Sequence, residues 1–267
     1  MKREVGCTLE ATVYEASEVA FQLAVATPGG ASVREQMSIT IDDTELTAHA
    51  VVTHTGSRMH IVQAPVGKLR VRYAAVIDGE FDPQPVTPTE AWEYLRPSRY
   101  IESDRFNDVA AELFGGLPGP VELLAHVTTW TGNALVYVPG SSGPMDGASQ
   151  TMNLGAGVCR DYAHLVAAML RARGVAARVV AVYAPGCSPM DFHAVVEANV
   201  NGRWQVVDAT LMAPRQSFVR IATGRDAADT SFMSNNGGVV TLDEATVFAV
   251  VDGELPRDDV EQLAAIR

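Results

Sequence analysis

The spacing of apolar residues changes once along this chain, and that change limits the fold to two kinds of unit. Before Asp82, apolar residues recur at every second position, the spacing of half-buried β-strands. After Ser103 they recur at helical spacing. Three prolines fall within residues 82–88, and they disfavour both a helix and a central strand. The sequence therefore predicts two domains, residues 1–97 and residues 98–267.

The first predicted domain consists of short alternating segments separated by turn-forming residues. These segments cover residues 7–15, 19–27, 36–41, 46–53, 59–63 and 69–76. Turn residues such as Pro28-Gly29-Gly30 and Asp42-Asp43 lie between them. Several short strands at this interval are typical of an antiparallel β-sandwich.

Charge and composition exclude several functional classes. The chain has 20 basic and 32 acidic residues and a net charge of −12, which argues against binding to nucleic acid or to anionic membranes. The first ten residues, MKREVGCTLE, lack the apolar stretch of a secretory signal. No window approaches the roughly 18 apolar residues of a membrane helix. We therefore expect a soluble, cytoplasmic protein whose oligomeric state the sequence does not indicate.

The three cysteines, Cys7, Cys159 and Cys187, include no CxxC pair, which argues against a disulfide framework and a structural zinc site. Cys159 falls in the first turn of a helix that Gly174 is predicted to end. Unpaired backbone N–H groups and the helix dipole favour a thiolate at that position. By position alone, a nucleophile and a small buried hydrophobe both remain open for Cys159. The other two cysteines are interpreted as non-catalytic.

The residues around Cys159 have predicted roles of their own. Gly155 and Gly157 precede it and are expected to let a substrate approach the sulfur. Arg160 and Asp161 are expected to fix the helix start through ion pairs rather than to meet substrate.

An Asn-Gly dipeptide at residues 201–202 separates two alternating apolar segments and predicts a two-residue β-hairpin turn. With that turn, Val195 lies opposite Asp208, and His193 shares a face with both. The side chains of His193 and Asp208 are then diagonal neighbours, close enough for a carboxylate to orient an imidazole. Separately, each has an ordinary structural interpretation. Together with Cys159 they predict a catalytic Cys-His-Asp arrangement.

Three segments now carry a resemblance to a known family. They are residues 157–164 (GVCRDYAH), His193-Ala194 with the strand that follows, and residues 204–210 (WQVVDAT). In order and spacing they resemble the motifs of the transglutaminase-like superfamily, in particular its bacterial branch of putative cysteine proteases. The segments 95–100 and 223–229 are also similar to that branch. Val195, where the family often has Trp, and Ala209, where it often has Pro, depart from the pattern and put substrate contacts in doubt.

The resemblance implies a papain-like α+β domain, with an antiparallel sheet packed on helices, after the β-sandwich. It also implies that Cys159 is the nucleophile, His193 the general base and Asp208 the orienting acid. The reaction would be acyl transfer on a peptide or protein substrate through a thioester, without metal or organic cofactor. One oxyanion donor should be the Cys159 backbone N–H, and Asn153 and Gln150 are open candidates for the second.

Three functional classes remain open at this stage. A cysteine hydrolase of peptide bonds is the first. An amine-accepting transglutaminase is the second, and a non-catalytic peptide-binding module is the third.

Overall fold

The computed structural model describes residues 1–267 and joins a β-sandwich to a smaller, helix-covered sheet. The strands are β1 (Lys2–Val13), β2 (Ser17–Phe21), β3 (Ser32–Ile41), β4 (Thr44–Glu45), β5 (His49–Val52), β6 (Arg58–Ala64), β7 (Gly67–Asp78), β8 (Val136–Tyr137), β9 (Ala156–Gly157), β10 (Ala177–Tyr183), β11 (His193–Val200), β12 (Arg203–Val207), β13 (Val219–Gly224), β14 (Met233–Asn236) and β15 (Val240–Val251). The helices are α1 (Pro88–Glu93), α2 (Asn107–Phe114), α3 (Pro120–Ala134), α4 (Ala148–Leu154) and α5 (Cys159–Ala172). The predicted α+β class is confirmed.

The sandwich consists of two antiparallel sheets with their apolar faces together. One sheet has the strand order β15-β1-β7-β3-β4 and the other the order β14-β2-β6-β5. Strand β7 shows the alternation that the sequence predicted: Leu69, Val71 and Tyr73 are buried, and the residues between them are more exposed. Each sheet therefore contributes one face to a common core.

The last two strands return to the sandwich, which the predicted division at residue 97 did not include. Strand β15 pairs with β1, from Arg3 opposite Val251 to Val13 opposite Val240, and β14 pairs with β2. Of β15, only Val247 and Ala249 are fully buried, because it is an edge strand. A strand with so little burial gives a weak alternating pattern, which explains why residues 233–251 were assigned with the second domain.

The second unit has a four-stranded antiparallel sheet, β12-β11-β10-β13, with α5 packed on β10 and β11. The apolar side of α5 includes Leu165, Val166 and Met169, all buried. Gly174 follows the helix with a φ of +77°, the left-handed conformation common after a helix C-terminus. No helix in the chain combines the length and the apolar character needed to cross a membrane.

The hairpin that joins β11 to β12 has the predicted two-residue turn. Asn201 and Gly202 both have positive φ, 52° and 78°, as that type of hairpin turn requires. The register follows, with Val200 opposite Arg203 and Val196 opposite Val207. The predicted register is therefore confirmed along the paired length of the two strands.

Some residues of the second unit are buried in the core of the sandwich. Tyr183 at the end of β10 is fully buried among sandwich residues, and its hydroxyl donates to the Leu23 carbonyl at 2.8 Å. The backbone N–H of Ala26 donates to the Arg220 carbonyl at 2.9 Å. The relative placement of the two units is thus fixed by buried apolar contacts and by hydrogen bonds.

A buried carboxylate on β11 is bonded to arginines of β10 and β13 in the same sheet. Glu197 is 1% exposed and accepts hydrogen bonds from Arg220 at 2.6 Å and from Arg178 at 2.9 Å. Burial alone would raise the pKa of Glu197, but the two guanidinium groups lower it to about 2. Because this pKa is lowered in the folded state, the cluster stabilises the fold above pH 4 and loses its contribution as the pH falls towards 2.

We predict that Glu197→Ala lowers the free energy of unfolding by about 3–5 kcal/mol, because it leaves the buried Arg220 without a counter-charge. Urea denaturation at pH 7 measures the change. The control Glu45→Ala, on the exposed strand β4, should change it by no more than about 0.5 kcal/mol. A loss below about 1 kcal/mol for Glu197→Ala would contradict the predicted role of the cluster.

Candidate active site

The position of Cys159 results from the packing of α5 against β11. Cys159 is the first residue of α5, and its side chain is partly exposed. Its Sγ lies 3.9 Å from the carbonyl oxygen of Phe192, the residue just before β11. The thiol also contacts the side chain of His193, the first residue of β11. The start of the helix and the start of the strand thus bring sulfur and imidazole together.

His193 and Asp208 form the hydrogen bond that the hairpin register predicted. His193 Nε2 lies 2.8 Å from Asp208 Oδ2, and each residue is 3% exposed. Asp208 directly follows β12, so its carboxylate reaches the imidazole diagonally across the hairpin. Since Nε2 is bonded to the carboxylate, Nδ1 is the ring nitrogen left for proton exchange with the sulfur.

The carboxylate of Asp208 is itself held in place from the other side. Thr210 donates to Asp208 Oδ1 twice, from its backbone N–H at 2.9 Å and from its hydroxyl at 2.7 Å. The edge of the Phe218 ring packs against the His193 ring, with 5.8 Å between the centroids. These contacts leave the imidazole little freedom to turn. Sequence reasoning gave Thr210 no role.

For both His193 and Asp208, burial and the ion pair have opposite effects on the pKa. Burial favours neutral His193, but the charge and hydrogen bond of Asp208, together with contact to Cys159, raise the His193 pKa well above its usual 6.5. Burial likewise opposes ionisation of Asp208, but His193 and the two bonds from Thr210 lower its pKa below 3.8. The pair is therefore an imidazolium and a carboxylate near neutral pH.

The helix start is organised by Asp161, as predicted. Its fully buried carboxylate accepts from the Val158 backbone N–H at 2.8 Å and from the Ser142 hydroxyl at 2.5 Å. Arg160 pairs with the same carboxylate at 2.9 Å. These bonds fix the turn that carries the sulfur.

The two glycines before Cys159 serve packing rather than substrate approach, which corrects the prediction. Gly155 has a φ of +65° and ends α4. A Cβ on Gly157 would lie 2.5 Å from the Cβ of Asp161. Gly157 is therefore needed so that the Asp161 side chain can close over the helix start.

The oxyanion donors predicted from sequence are only partly in place. Gln150 accepts from the Gly147 backbone N–H at the start of α4, and Asn153 is exposed on that helix, so neither lines the cleft beside Cys159. The backbone N–H of Cys159 instead contacts the hydroxyl of Tyr137. Tyr137 was not identified from sequence, because a two-residue strand leaves almost no pattern.

The remaining cysteines are shielded. Cys7 is 3% exposed, and burial raises its pKa to about 11. Cys187 is 7% exposed, and burial raises its pKa as well. Both thiols are therefore poorly reactive near neutral pH.

The structure also explains Val195 and Ala209, the two positions that depart from the family pattern, and the nearby His164. Val195 and Ala209 are buried in the core and do not line the cleft, so they bear on packing rather than on substrate contacts. Burial lowers the pKa of His164 to about 4, and its Nε2 accepts from the Ala227 backbone N–H at 3.2 Å. No group of three or more His, Cys, Asp or Glu side chains is placed to hold a metal ion.

A cleft of about 440 Å³ opens over Cys159 and His193, within the roughly 300–1,000 Å³ typical of ligand sites. Both units line it. Phe192 directly precedes β11 of the four-stranded sheet β12-β11-β10-β13, called the core sheet below, and Tyr100 lies in the segment before α2. Gln22 follows β2 of the sandwich. The cleft is where a substrate can reach the sulfur.

Comparison with known proteins agrees with this geometry. A family model of the transglutaminase-like superfamily matches residues 107–209. The crystal structure of a putative cysteine protease from Cytophaga hutchinsonii is 28% identical, with a TM-score of 0.87 over 98% of this chain and 96% of that chain. The periplasmic domain of TgpA from Pseudomonas aeruginosa is 20% identical over 77% of this chain and 90% of that chain, with a TM-score of 0.42, too low to bear on function.

A sequence relative was also found. The uncharacterized protein ML0607 of Mycobacterium leprae is 24% identical over 149 residues, which are 51% of this chain and 52% of that protein. The chain thus spans about half the length of this relative.

The matched segment contains Cys159, His193 and Asp208, and the full-length match shares the whole architecture. Residues 107–209 match the family model of the transglutaminase-like superfamily, and the chain as a whole is similar in fold to the putative cysteine protease.

Proposed function

We propose that this protein is a cysteine-dependent peptidase that uses Cys159, His193 and Asp208. The observation that carries the proposal is the buried 2.8 Å bond between His193 and Asp208 directly beside the partly exposed thiol of Cys159. Such a constellation activates a thiol for acyl transfer. The resemblance to the Cytophaga hutchinsonii protein, described as a putative cysteine protease, favours hydrolysis.

The proposed reaction has two steps. The Cys159 thiolate attacks the carbonyl carbon of a peptide bond and forms a tetrahedral oxyanion. The His193 imidazolium gives its proton to the departing amine, which leaves a thioester on the sulfur. Neutral His193 then takes a proton from water as the water attacks the thioester, which releases the acid and restores the Cys159 thiolate and the His193 imidazolium. Asp208 keeps the imidazole in one orientation throughout.

Thiol labelling tests whether Cys159 is activated. We predict that iodoacetamide at pH 6 modifies Cys159 at least about tenfold faster than Cys7 or Cys187, since a thiolate paired with an imidazolium reacts where an ordinary thiol, with a pKa near 8.5, does not. Mass spectrometry of tryptic peptides measures each rate. Equal rates at the three cysteines would contradict the enzyme and favour a non-catalytic peptide-binding module.

Turnover tests the nucleophile itself. We predict that Cys159→Ala abolishes cleavage of fluorescein-labelled casein, because no other side chain in the cleft can form the thioester. Cys187→Ala is the matched control and should retain activity, since Cys187 packs in the core and does not line the cleft. Activity retained in Cys159→Ala would show that another group is the nucleophile.

Substitution of Asp208 tests the orienting role. We predict that Asp208→Asn lowers kcat by about 10²-fold or more, with a smaller change in KM, because the imidazole loses its partner but substrate contacts remain. The His193 pKa should also fall, because the charge of Asp208 raises it. Titration followed by NMR measures this shift, and an unchanged His193 pKa would contradict the ion pair.

The same ion pair predicts a pH dependence of stability. Since the His193 pKa is raised in the folded state, its contribution is complete below the ordinary pKa near 6.5 and is lost as the pH rises through the raised value. In Asp208→Asn this loss on the alkaline side should weaken. Urea denaturation between pH 6 and pH 9 measures it.

A transglutaminase would use the same three residues and differ only in the acceptor. Incubation of casein with a dansyl-labelled primary amine separates the two reactions. We predict that hydrolysis exceeds amine incorporation. The reverse ratio would assign the protein as an amine-accepting transferase.

A further inference from the structure

We propose that the cleft selects acyl donors with a bulky apolar side chain, which packs against Phe192 and Phe232. This inference rests on the proposed acyl transfer at Cys159 and adds the class of substrate. Phe192 lies on the core-sheet side of the cleft, and Phe232 immediately precedes β14 of the sandwich. Specificity would thus be shared between the two units.

The apolar wall begins beside the nucleophile. The rings of Phe192 and Phe232 are stacked with 4.7 Å between their centroids and an interplanar angle of 16°. Both are partly exposed, and the carbonyl oxygen of Phe192 is the group that lies 3.9 Å from the Cys159 sulfur. A side chain of a substrate bound at this sulfur therefore meets an aromatic surface at once.

Small residues leave space next to this wall. Ala181 on β10 lies opposite Ala194 on β11, and both are partly exposed to the cleft. Ile221 of β13 also lines it. Methyl side chains at the two alanine positions make room for a large group without placing a polar atom against it.

Several polar side chains of the cleft are already bonded within the protein, although the buried Nδ1 of His164 has no partner. Gln22 donates to two backbone carbonyls at 3.0 and 3.2 Å, and the hydroxyls of Thr230 and Ser231 each donate to another. Arg160 is paired with the buried Asp161. Because these groups are satisfied, the cleft recognises a ligand chiefly by apolar contact rather than through new hydrogen bonds.

The charges of the side chains that line the cleft also favour an apolar ligand. The chain has 32 acidic residues, yet none of them lines this cleft. A basic substrate side chain would therefore be desolvated there without a counter-charge. An apolar one gains from burial, so the cleft should disfavour lysine and favour phenylalanine.

Three acetyl-peptide chloromethyl ketones that differ only in the last side chain, Ala, Phe or Lys, test this selection. In each case the Cys159 thiolate displaces chloride from the methylene carbon and forms a thioether. We expect the Phe reagent to react about tenfold or more faster than the Ala reagent, as burial of a phenyl ring predicts. The Lys reagent should be no faster than the Ala reagent. Mass spectrometry of the Cys159 peptide gives the rates.

Substitutions of Phe232 test whether the stacked rings of Phe192 and Phe232 cause the selection. Phe232→Ala should lower the Phe-to-Ala rate ratio by about fivefold or more, whereas Phe232→Leu should keep most of it, since both phenyl and isobutyl groups are apolar. Phe248→Ala, at an exposed position of β15 outside the cleft, should leave the ratio unchanged.

The outcomes separate this inference from the function on which it rests. Rapid iodoacetamide labelling of Cys159 with a Phe-to-Ala ratio near one, or a ratio that Phe232→Ala does not change, would overturn the apolar selection alone. Slow labelling by every reagent would overturn the proposed function and this inference with it.

Discussion

The bond between His193 and Asp208 is the interaction on which the site depends, and a turn some eight residues away determines it. Asn201 and Gly202 adopt the positive φ values that a two-residue hairpin needs. A slip of one residue in the register would move Asp208 to the other face of the sheet. Because both side chains are buried, ionisation of either one costs free energy, and the opposite charge of the other offsets that cost. The fold thus holds the His193 imidazole charged and in one orientation.

The sulfur depends on a different constraint, the packing of a helix on a sheet. Cys159 and His193 belong to elements that share no backbone hydrogen bond, so the distance between them is set by the core between α5 and β11. Val166 of the helix and Val196 of the strand are both fully buried in that core. Close packing at such positions resists changes of volume, which keeps the Cys159 thiol near the His193 imidazole.

Much of the architecture could be predicted from sequence because it has a local cause. The hairpin follows from Asn201-Gly202, the helix from the periodic apolar residues behind Cys159, and the sandwich from alternation such as that of Leu69, Val71 and Tyr73. These signals also linked two of the three candidate site residues, since the predicted register of the hairpin places His193 beside Asp208.

What could not be predicted depends on contacts between distant segments. The return of β15 to β1 has little local signal, because most of its residues are exposed on an edge. Gly157 was assigned to substrate approach, and only its closeness to Asp161 in space shows why a glycine stands there. Tyr137 reaches the Cys159 backbone from a two-residue strand that pairs with β9. The spacing of apolar residues and the local conformational propensities carry no information on which distant segments pair.

The return of the chain to the sandwich also explains why both units contribute to one cleft. The segment from Thr230 to Ser234 connects the core sheet to β14 and, on its way, forms one wall of the cleft. Gln22 of the sandwich holds this segment by its bond to the Ser231 carbonyl, while Tyr183 of the core sheet is buried in the sandwich core. The sandwich thus forms part of the cleft beside Cys159, and its removal would open the cleft as well as expose the core.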